Sequence, residues 1–320
     1  MDAYRLGLVA TRIHYFQLVA RLGSIRQAAL SLNVAPSSVS RILRQLEDEL
    51  GTPLFERVRQ RLKLTSAGEL LLYHARASLS ELARACAEIN DLHGLHRGTV
   101  SIAVVESVAR GLLPAALAAF WARHPAITVD IKVMASQEAA NAVAEGECDL
   151  AVLFDVRVPR TVRRIASVSL PIGVLALPGS DLAARTELKL FDLANRRVIL
   201  SDQSLTLGAS VEDALNRSLL DLSRRSRTNS IGLMVELALR DLGLVLQTRV
   251  GVEQELAQGL LVFVPLTDTR LPNRKLMLLS RSTKEMSDAA SALGRLLEQS
   301  VEQLTQPSGQ TGGQGLGKAP

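Results

Sequence analysis

Helix-breaking residues divide the first fifty residues into three short helices, and this spacing constrains the fold more than any other feature of the sequence. Apolar residues recur at helical intervals up to Gly23, then up to Asn33, and finally up to Gly51. Ser24 and Gln27 have the types and spacing of a capping box, which predicts the start of the second helix. The sequence therefore predicts three short helices joined by tight turns.

The second and third helices are predicted to form a helix-turn-helix at about residues 24–46. The adjacent alanines of the second helix let the two helices approach closely. Pro36 suits the first turn of the third helix, because the N–H group that it lacks would be unpaired there. Two strand-like runs, Leu54–Arg57 and Leu62–Leu64, then enclose a basic turn. This order predicts an all-α winged helix-turn-helix domain at residues 8–65.

Positive charge is concentrated in this segment. The chain has 37 Lys and Arg against 32 Asp and Glu, and residues 1–65 alone hold 10 basic and 5 acidic residues. The whole excess of positive charge therefore lies in the first fifth of the chain, which favours a module that binds a polyanion, although charge alone fits a solvated basic surface equally well. The chain has six Phe, three Tyr and one Trp, which is few for a protein that stacks on unpaired bases. The composition thus favours duplex DNA.

A 4-3 spacing of small and apolar residues predicts a long linker helix over residues 66–94. Thr65 is placed to cap its start, and the helix is predicted to end around His93 and Gly94. A stripe sustained for about three heptads indicates packing on another helix. We therefore expect this helix to mediate dimerisation through apolar residues that are otherwise exposed. The stripe consists of Leu71, Ala75, Ser78, Leu82, Ala85, Ile89 and Leu92.

From Thr99 onward, short β-branched runs alternate with helical stretches, which predicts βαβ units and a parallel sheet. The predicted strands are Val100–Val104, Ile127–Val133, Leu150–Phe154, Ile172–Leu177, Val198–Leu200, Gly243–Gln247, Leu261–Val264 and Lys275–Leu279. Helices are predicted at Leu112–Arg123, Glu138–Gly146 and Glu285–Leu304. Residues 305–320 are rich in Gly, Gln, Ser and Pro, and they are predicted to form a disordered tail.

Many residues at fixed spacings between His14 and Glu69 resemble the LysR-type transcriptional regulators. They are Phe16, Gly23-Ser24, Ala28-Ala29, Leu32, Val39-Ser40-Arg41, Leu46-Glu47, Leu50-Gly51, Leu54-Phe55, Arg57 and Leu64-Thr65-Ser66-Ala67-Gly68. The second half of the chain resembles the effector-binding domain of the same family. The residues concerned are Gly98–Ile102, Leu113-Pro114, Phe120, Pro125, Gly146, Asp149–Ala151, Leu233–Val235 and Leu242–Val245.

This resemblance implies a cytoplasmic, sequence-specific transcriptional regulator that responds to a small-molecule inducer and is not an enzyme. The implied effector-binding domain, residues 97–304, has two Rossmann-like subdomains similar to those of periplasmic binding proteins. Subdomain I comprises 97–168 and 270–304, and subdomain II comprises 169–269, with chain crossings near Ser167–Leu170 and Leu266–Leu271. The implied partners are double-stranded DNA, the inducer, a second copy bound through residues 66–94, a homotetramer built from such dimers, and RNA polymerase.

Candidate DNA contacts lie on the third helix and in the wing. Arginine binds guanine through two hydrogen bonds, and serine hydroxyls contact bases or phosphates; the alternative is ordinary solvation of these side chains. Pro36 and Ile42 stand where the family often has glutamine, so the DNA specificity of this chain is expected to differ from the common pattern. The candidate residues are Ser37, Ser38, Ser40, Arg41 and Arg44 on the helix and Arg57, Arg59 and Arg61, as phosphate contacts, in the wing.

Candidate effector contacts follow the predicted strands, because ligands of α/β domains bind beyond the carboxyl ends of strands. The alternative for each Ser or Asn is a helix N-cap. The candidates are Glu106, Ser107, Ser136, Gln137, Ser201, Asp202, Asn229 and Ser230.

The charge of these loops bears on the inducer. Glu106 and Asp202 would repel a bare dicarboxylate unless Arg110 or Arg249 offset them, so the sequence favours a ligand with an amine or several hydroxyls.

The sequence argues against several other classes of protein. The longest apolar run, Leu112–Ala122, is too short to cross a bilayer, and no secretory signal is recognisable. Two cysteines cannot build a disulfide framework or a four-ligand metal site, and the five histidines lack metal-ligand spacing, so we expect no metal and no cofactor besides the inducer. A solute-binding protein would not need the basic segment, and an enzyme would need a triad or phosphate loop that the sequence does not show.

Overall fold

A computed structural model describes residues 10–58, 61–92, 98–218, 220, 222–281 and 286–304. The chain forms two compact units, of which one extends to Thr99 and the other consists mainly of the residues that follow. Within the described residues, no helix is both long enough and apolar enough to cross a membrane. The predicted tail, 305–320, and the predicted end of the linker helix at 93–94 lie outside the described residues.

The N-terminal unit begins with three helices and a two-stranded hairpin. The elements are α1 Thr11–Leu22, α2 Ile25–Leu32, α3 Pro36–Leu50, β1 Phe55–Val58 and β2 Arg61–Leu64. The three helices end at left-handed residues, with φ of 62° at Gly23, 53° at Asn33 and 65° at Gly51. The predicted cap of α2 is present, since the Ser24 hydroxyl accepts a hydrogen bond from the Gln27 N–H. The predicted winged helix-turn-helix is therefore observed.

The long helix α4, Ser66–Leu92, follows the hairpin. The Thr65 hydroxyl caps it by accepting from the Gly68 N–H at 3.1 Å. Leu71 packs against the core of the winged helix and Ala75 is buried, whereas Leu82 is half-exposed. The expectation that the stripe is exposed throughout is therefore wrong at its first turns, because the helix starts on the domain from which it emerges.

The C-terminal unit contains two five-stranded sheets with helices packed on them. The first sheet has the order β4-β3-β5-β12-β6, and the second has the order β11-β7-β10-β8-β9. The first contains β3 Thr99–Val104, β4 Thr128–Val133, β5 Leu150–Phe154, β6 Val162–Leu170 and β12 Arg274–Arg281. The second contains β7 Gly173–Ala176, β8 Arg197–Ser201, β9 Ser223–Thr228, β10 Leu244–Gln247 and β11 Val262–Pro265. The helices are α5 Glu106–Arg110, α6 Leu112–Arg123, α7 Ser136–Ala144, α8 Thr206–Ser218, α9 Ile231–Leu239, α10 Glu253–Ala257 and α11 Asp288–Gln303.

Both sheets are mixed rather than parallel as predicted. β3 and β5 are parallel, and so are β8 with β9 and with β10, but β12 runs antiparallel to β5 and to β6. In the second sheet, β7 runs antiparallel to β10 and to β11. The chain leaves the first sheet between Leu170, the last residue of β6, and Gly173, the first residue of β7, directly after the stretch Ser167–Leu170 near which the crossing was predicted. The sequence did not predict β6, because the charged residues on its exposed face interrupt the apolar pattern of a strand.

Candidate functional site

The third helix presents a polar face opposite the side that packs into the core. Val39, Leu43 and Leu46 are buried on the core side, where the fully buried Ala28 and Ala29 of α2 let α3 approach closely. The predicted contact residues share the outer side: Ser37, Arg41 and Arg44 are exposed, and Ser38 and Ser40 are half-buried. The arrangement brings all five helix candidates to one accessible surface.

The wing is tied to α3 by a carboxylate. Glu47 of α3 accepts hydrogen bonds through one side-chain oxygen from the backbone N–H groups of Leu54, at 2.8 Å, and Phe55, at 3.1 Å. Arg57 lies on β1 and is exposed. Arg59 lies outside the described residues, and for Arg61 the structure describes the backbone position in β2 but not the side chain.

A cavity of about 250 Å³ lies where the carboxyl ends of strands from the two sheets face each other. Its walls come from the ends of β4, β5 and β10 and from the residues that follow β3, β8 and β9. This is the position where open α/β sheets bind ligands. The wall is mixed, and its apolar residues are Val105, Val133, Met134, Ala135, Phe154, Leu205, Leu207 and Ile231. The polar residues are Glu106, Ser107, Ser136, Ser204, Thr206, Asn229, Gln247, Thr248 and Arg274.

Four of the eight predicted effector contacts line this cavity, namely Glu106, Ser107, Ser136 and Asn229. Ser107 and Ser136 are buried, and the Ser136 hydroxyl accepts a hydrogen bond from the Phe154 N–H at 3.3 Å. Glu106 is half-buried in the first turn of α5, which begins directly after β3. The rule that ligands bind beyond strand ends thus located half of the candidates.

The other four predicted contacts do not line the cavity. Gln137 is exposed and bonds to Asn141 along α7, and buried Ser201 contacts the sulfur of Met234. The Asp202 carboxylate accepts from the N–H and hydroxyl of Ser204, which lowers the pKa of Asp202.

Ser230 is the N-cap of α9, where its hydroxyl accepts from the Leu233 N–H at 3.3 Å. The N-cap alternative is therefore observed at Ser230, and its contact with an effector stays a prediction.

Glu106 occupies the N-terminus of α9. Its Oε1 accepts hydrogen bonds from the N–H groups of Ile231, at 2.9 Å, and Gly232, at 3.4 Å, and from the Ser230 hydroxyl at 3.3 Å. The N-terminus of a helix attracts anions through its free N–H groups and its dipole. The chain therefore supplies the anion for this position itself.

Arg274 is the positive residue of the cavity, and its donors are largely used. Its Nε lies 2.7 Å from the Asp155 carboxylate. Its Nη1 donates to the Thr206 carbonyl at 3.2 Å and to the Ser210 hydroxyl at 2.5 Å, and its Nη2 donates to the Thr206 hydroxyl at 2.6 Å. Burial lowers the pKa of Arg274, and Asp155 opposes that change. The guanidinium thus holds β12 to α8.

The two arginines expected to offset acidic loops do not line the cavity. Arg110 donates to the Gly251 carbonyl and to both oxygens of Glu255, at 3.1 and 2.5 Å, and this ion pair raises the pKa of Arg110. Arg249 lies over the Phe263 ring, 5.7 Å from its centre. Arg110 still interacts electrostatically with Glu106, which contributes to its raised pKa, while the hydrogen bonds of Glu106 go to the N-terminus of α9.

Sequence reasoning missed Gln247, Thr248 and Arg274. The first two end or directly follow β10, a strand that was predicted at nearly its observed position, so the strand-end rule would have found them. Arg274 begins β12 and faces inward only because α8 supplies its acceptors, which the sequence of the strand does not reveal. Within the described residues, no group of His, Cys, Asp and Glu is placed to hold a metal ion.

The chain matches two family models over most of its length. Residues 10–69 match the bacterial regulatory helix-turn-helix protein, lysR family, and residues 93–302 match the LysR substrate binding domain. Among curated relatives, a probable RuBisCO transcriptional regulator of Synechocystis sp. is 27% identical over 89% of this chain and 84% of its own length. One from Nostoc sp. is 28% identical over 91% and 88%.

Solved structures of regulators share the fold. A variant of full-length OxyR from Pseudomonas aeruginosa has a TM-score of 0.61 at 18% identity, covering 91% of this chain and 94% of that one. CbnR, a LysR family transcriptional regulator, has a TM-score of 0.59 at 18% identity, covering 91% and 98%. Identities this low support the fold alone. Together with the two family models, the winged helix and the paired sheets show that the chain belongs to the LysR family of DNA-binding transcriptional regulators that carry an effector-binding domain.

Proposed function

We propose that the cavity of the C-terminal unit is the effector site of this regulator. One observation carries the proposal: the cavity lies at the strand ends of both sheets, where a bound molecule contacts both at once. A ligand that binds one arrangement of the sheets better than another shifts the equilibrium between them, which is how an effector would change DNA binding or activation. The proposed effector contacts are the residues that line the wall, and they include Glu106, Ser107, Ser136 and Asn229, which were predicted from the sequence.

The outer face of α3 is proposed to read the major groove, as the recognition helix of a helix-turn-helix does. Its exposed side chains at Ser37, Arg41 and Arg44 support this placement, with Ser38 and Ser40 at its edge. The wing arginines, at positions 57, 59 and 61, are proposed to contact phosphates, which position a protein on DNA without reading sequence.

A homodimer formed through residues 66–94 is the proposed functional unit, and a tetramer of two such dimers and contact with RNA polymerase stay predictions. The half-exposed Leu82 on the 4-3 stripe of α4 supports the dimer. Leu82→Asp would place a charge in an apolar seam, so we expect loss of dimer in sedimentation together with loss of DNA binding. Leu70→Asp is the matched control, because Leu70 is 61% exposed and lies off the stripe. A fully dimeric Leu82→Asp protein would contradict this seam.

The domain limits 8–65, 66–94 and 97–304, the cytoplasmic location and the lack of enzymatic activity also belong to this proposal. It is tested by mixing the purified full-length protein with duplex DNA from upstream of its own gene. We expect a sequence-specific shift that weakens steeply with added salt, because binding releases counterions from phosphates. A protein that binds a small molecule but shows no specific DNA shift would contradict the regulatory role of this chain.

A further inference from the structure

We infer that the cavity takes an uncharged ligand with hydrogen-bonding groups, rather than a carboxylate. The inference deepens the proposed function and rests on the cavity being the effector site. Its basis is that both charged side chains of the wall are already compensated by the protein. Charge compensation within the chain leaves the ligand no unpaired charge to neutralise.

The N-terminus of α9 is an anion-binding position at the cavity, because Ile231 in its first turn lines the wall. Glu106 fills it with three hydrogen bonds to a single carboxylate oxygen, the shortest being 2.9 Å from the Ile231 N–H. A ligand carboxylate would have to displace Glu106 or lie beside it. Two carboxylates held close together repel each other, so both routes weaken binding.

Arg274 is the other charged residue of the wall, and without its partners it would attract an anion. Asp155 lies 2.7 Å from its Nε, and Thr206 and Ser210 accept from both of its terminal nitrogens. A ligand anion would have to break these bonds to obtain the same geometry. The compensated ion pair therefore presents little net charge to the cavity.

Two adjacent buried residues of the wall, Gln247 and Thr248, supply uncharged polar groups for a ligand. Thr248 is 2% exposed and its hydroxyl has no hydrogen-bond partner among the described residues. Neighbouring Gln247 is buried too, and its side-chain oxygen accepts from the Thr248 N–H at 2.9 Å. Buried hydroxyls are usually paired, so Thr248 points to a ligand group that accepts or donates one neutral hydrogen bond. The mixed apolar and polar wall and the modest volume fit a small hydroxyl- or amide-bearing molecule with an apolar body.

The test compares probes of one shape that differ in charge: benzamide, benzyl alcohol, benzoate and benzylammonium. Binding to the full-length protein is measured by equilibrium titration with NMR detection of the probe. We expect benzamide or benzyl alcohol to bind more than about tenfold tighter than benzoate and benzylammonium, because an uncompensated charge in a buried site costs several kcal/mol. Preference for either charged probe, or failure of both neutral probes to bind, would overturn the inference.

Glu106→Ala provides the second arm, because it frees the N-terminus of α9. We expect this variant to gain benzoate binding while its neutral-probe binding changes less. Glu187→Ala is the control, since it removes an exposed carboxylate away from the cavity wall. Should Glu106→Ala fail to fold, Glu106→Gln removes the charge but keeps an acceptor for the helix, and benzoate binding is again expected to rise. Unchanged exclusion of benzoate in the folded variant would show that Glu106 does not set the ligand class.

Ala135→Trp fills the cavity and separates this inference from the proposed function. If benzoate is preferred and Ala135→Trp abolishes its binding, the cavity is a ligand site but the charge argument is wrong. If neutral probes bind equally well to Ala135→Trp, the cavity is not the site and the proposed effector role is wrong.

Discussion

The two proposed binding surfaces hold their charged side chains in opposite ways. On α3, Arg41 and Arg44 are exposed, and neither forms an ion pair with any described residue. In the cavity, Arg274 is 5% exposed and is bonded to Asp155, Thr206 and Ser210. The arginines of α3 are therefore free to bind a polyanion. The guanidinium of Arg274, in contrast, binds other residues of the protein and stabilises the cavity wall.

The two surfaces should respond differently to mutagenesis. Solvated side chains that contribute nothing to the fold can be removed with little effect on stability. A buried charge whose partner is removed is destabilising, because the remaining charge has neither water nor a counterion. Substitutions on α3 should therefore change DNA binding while the free energy of unfolding stays constant. Substitutions of the compensated charges of the cavity should mainly lower the free energy of unfolding.

The largest effect is expected for Arg274→Met. This substitution leaves the Asp155 carboxylate without its guanidinium and removes bonds to Thr206 and Ser210. Removing one partner of a buried pair costs about 3–5 kcal/mol, and we expect about 3 kcal/mol here because the Asp155 side chain is 30% exposed. Urea unfolding measures the change. Arg240→Met, which removes an exposed pair with Glu236, should cost less than about 1 kcal/mol. Equal decreases in the free energy of unfolding of the two variants would show that the buried Arg274 stabilises the protein no more than an exposed arginine does.

Arg44→Ala should weaken specific DNA binding by about 1–3 kcal/mol if Arg44 reads a base. Discrimination at one base position should fall, while the free energy of unfolding stays within about 0.5 kcal/mol of the parent. Fluorescence titration against the operator and against random duplexes measures both affinities. Arg123→Ala, which removes an exposed arginine of α6, should leave DNA binding unchanged. Equal weakening on specific and random duplexes would rule out base reading by Arg44.

Arg57→Ala should have a smaller effect of a different kind. A phosphate contact contributes equally on every sequence, so we expect similar weakening on operator and random duplexes. The slope of log affinity against log salt should fall by about 1, because one fewer phosphate is neutralised. Titration over a range of salt concentrations measures the slope. A slope that stays at the parent value would place Arg57 away from the phosphates.

The sequence predicted the N-terminal unit more completely than the cavity, and the reason is the range of the interactions. Gly23, Asn33 and Gly51 end helices through local backbone conformation, and Ser24 caps through a residue three positions away. Such features depend on residues that are close together in the sequence, so they can be predicted from it. The buried alanine pair of α2 likewise acts on the next helix along the chain.

The cavity depends on contacts between residues far apart in the chain. Glu106 bonds to Ile231, and Arg274 bonds to Ser210 and Asp155, so no local pattern fixes these directions. Strand ends could be predicted, and they placed Glu106 and Ser136 correctly on the wall. Side-chain direction could not be predicted: Ser201 ends β8 three residues before the wall residue Ser204, and its hydroxyl contacts the sulfur of Met234.

The smallest effect, and the one of opposite sign, is expected for Thr248→Val. Valine has the shape of threonine without the hydroxyl, so it removes a buried polar group that has no partner among the described residues. Leaving a buried hydroxyl unpaired costs about 1–3 kcal/mol, and its removal should therefore stabilise the ligand-free protein by up to about 1 kcal/mol.

Thr228→Val is the matched control for this change, because the Thr228 hydroxyl accepts from the Ser230 N–H at 3.1 Å. We expect it to lower stability by about 1 kcal/mol through the lost hydrogen bond. Thermal unfolding of both variants, with and without benzamide, measures the signs. If the cavity reserves Thr248 for a neutral ligand, benzamide should stabilise the parent protein more than Thr248→Val. If Thr248→Val is less stable than the parent protein without ligand, this hydroxyl already has a hydrogen-bond partner. Thr248 would then be an ordinary buried polar residue and would not point to a ligand.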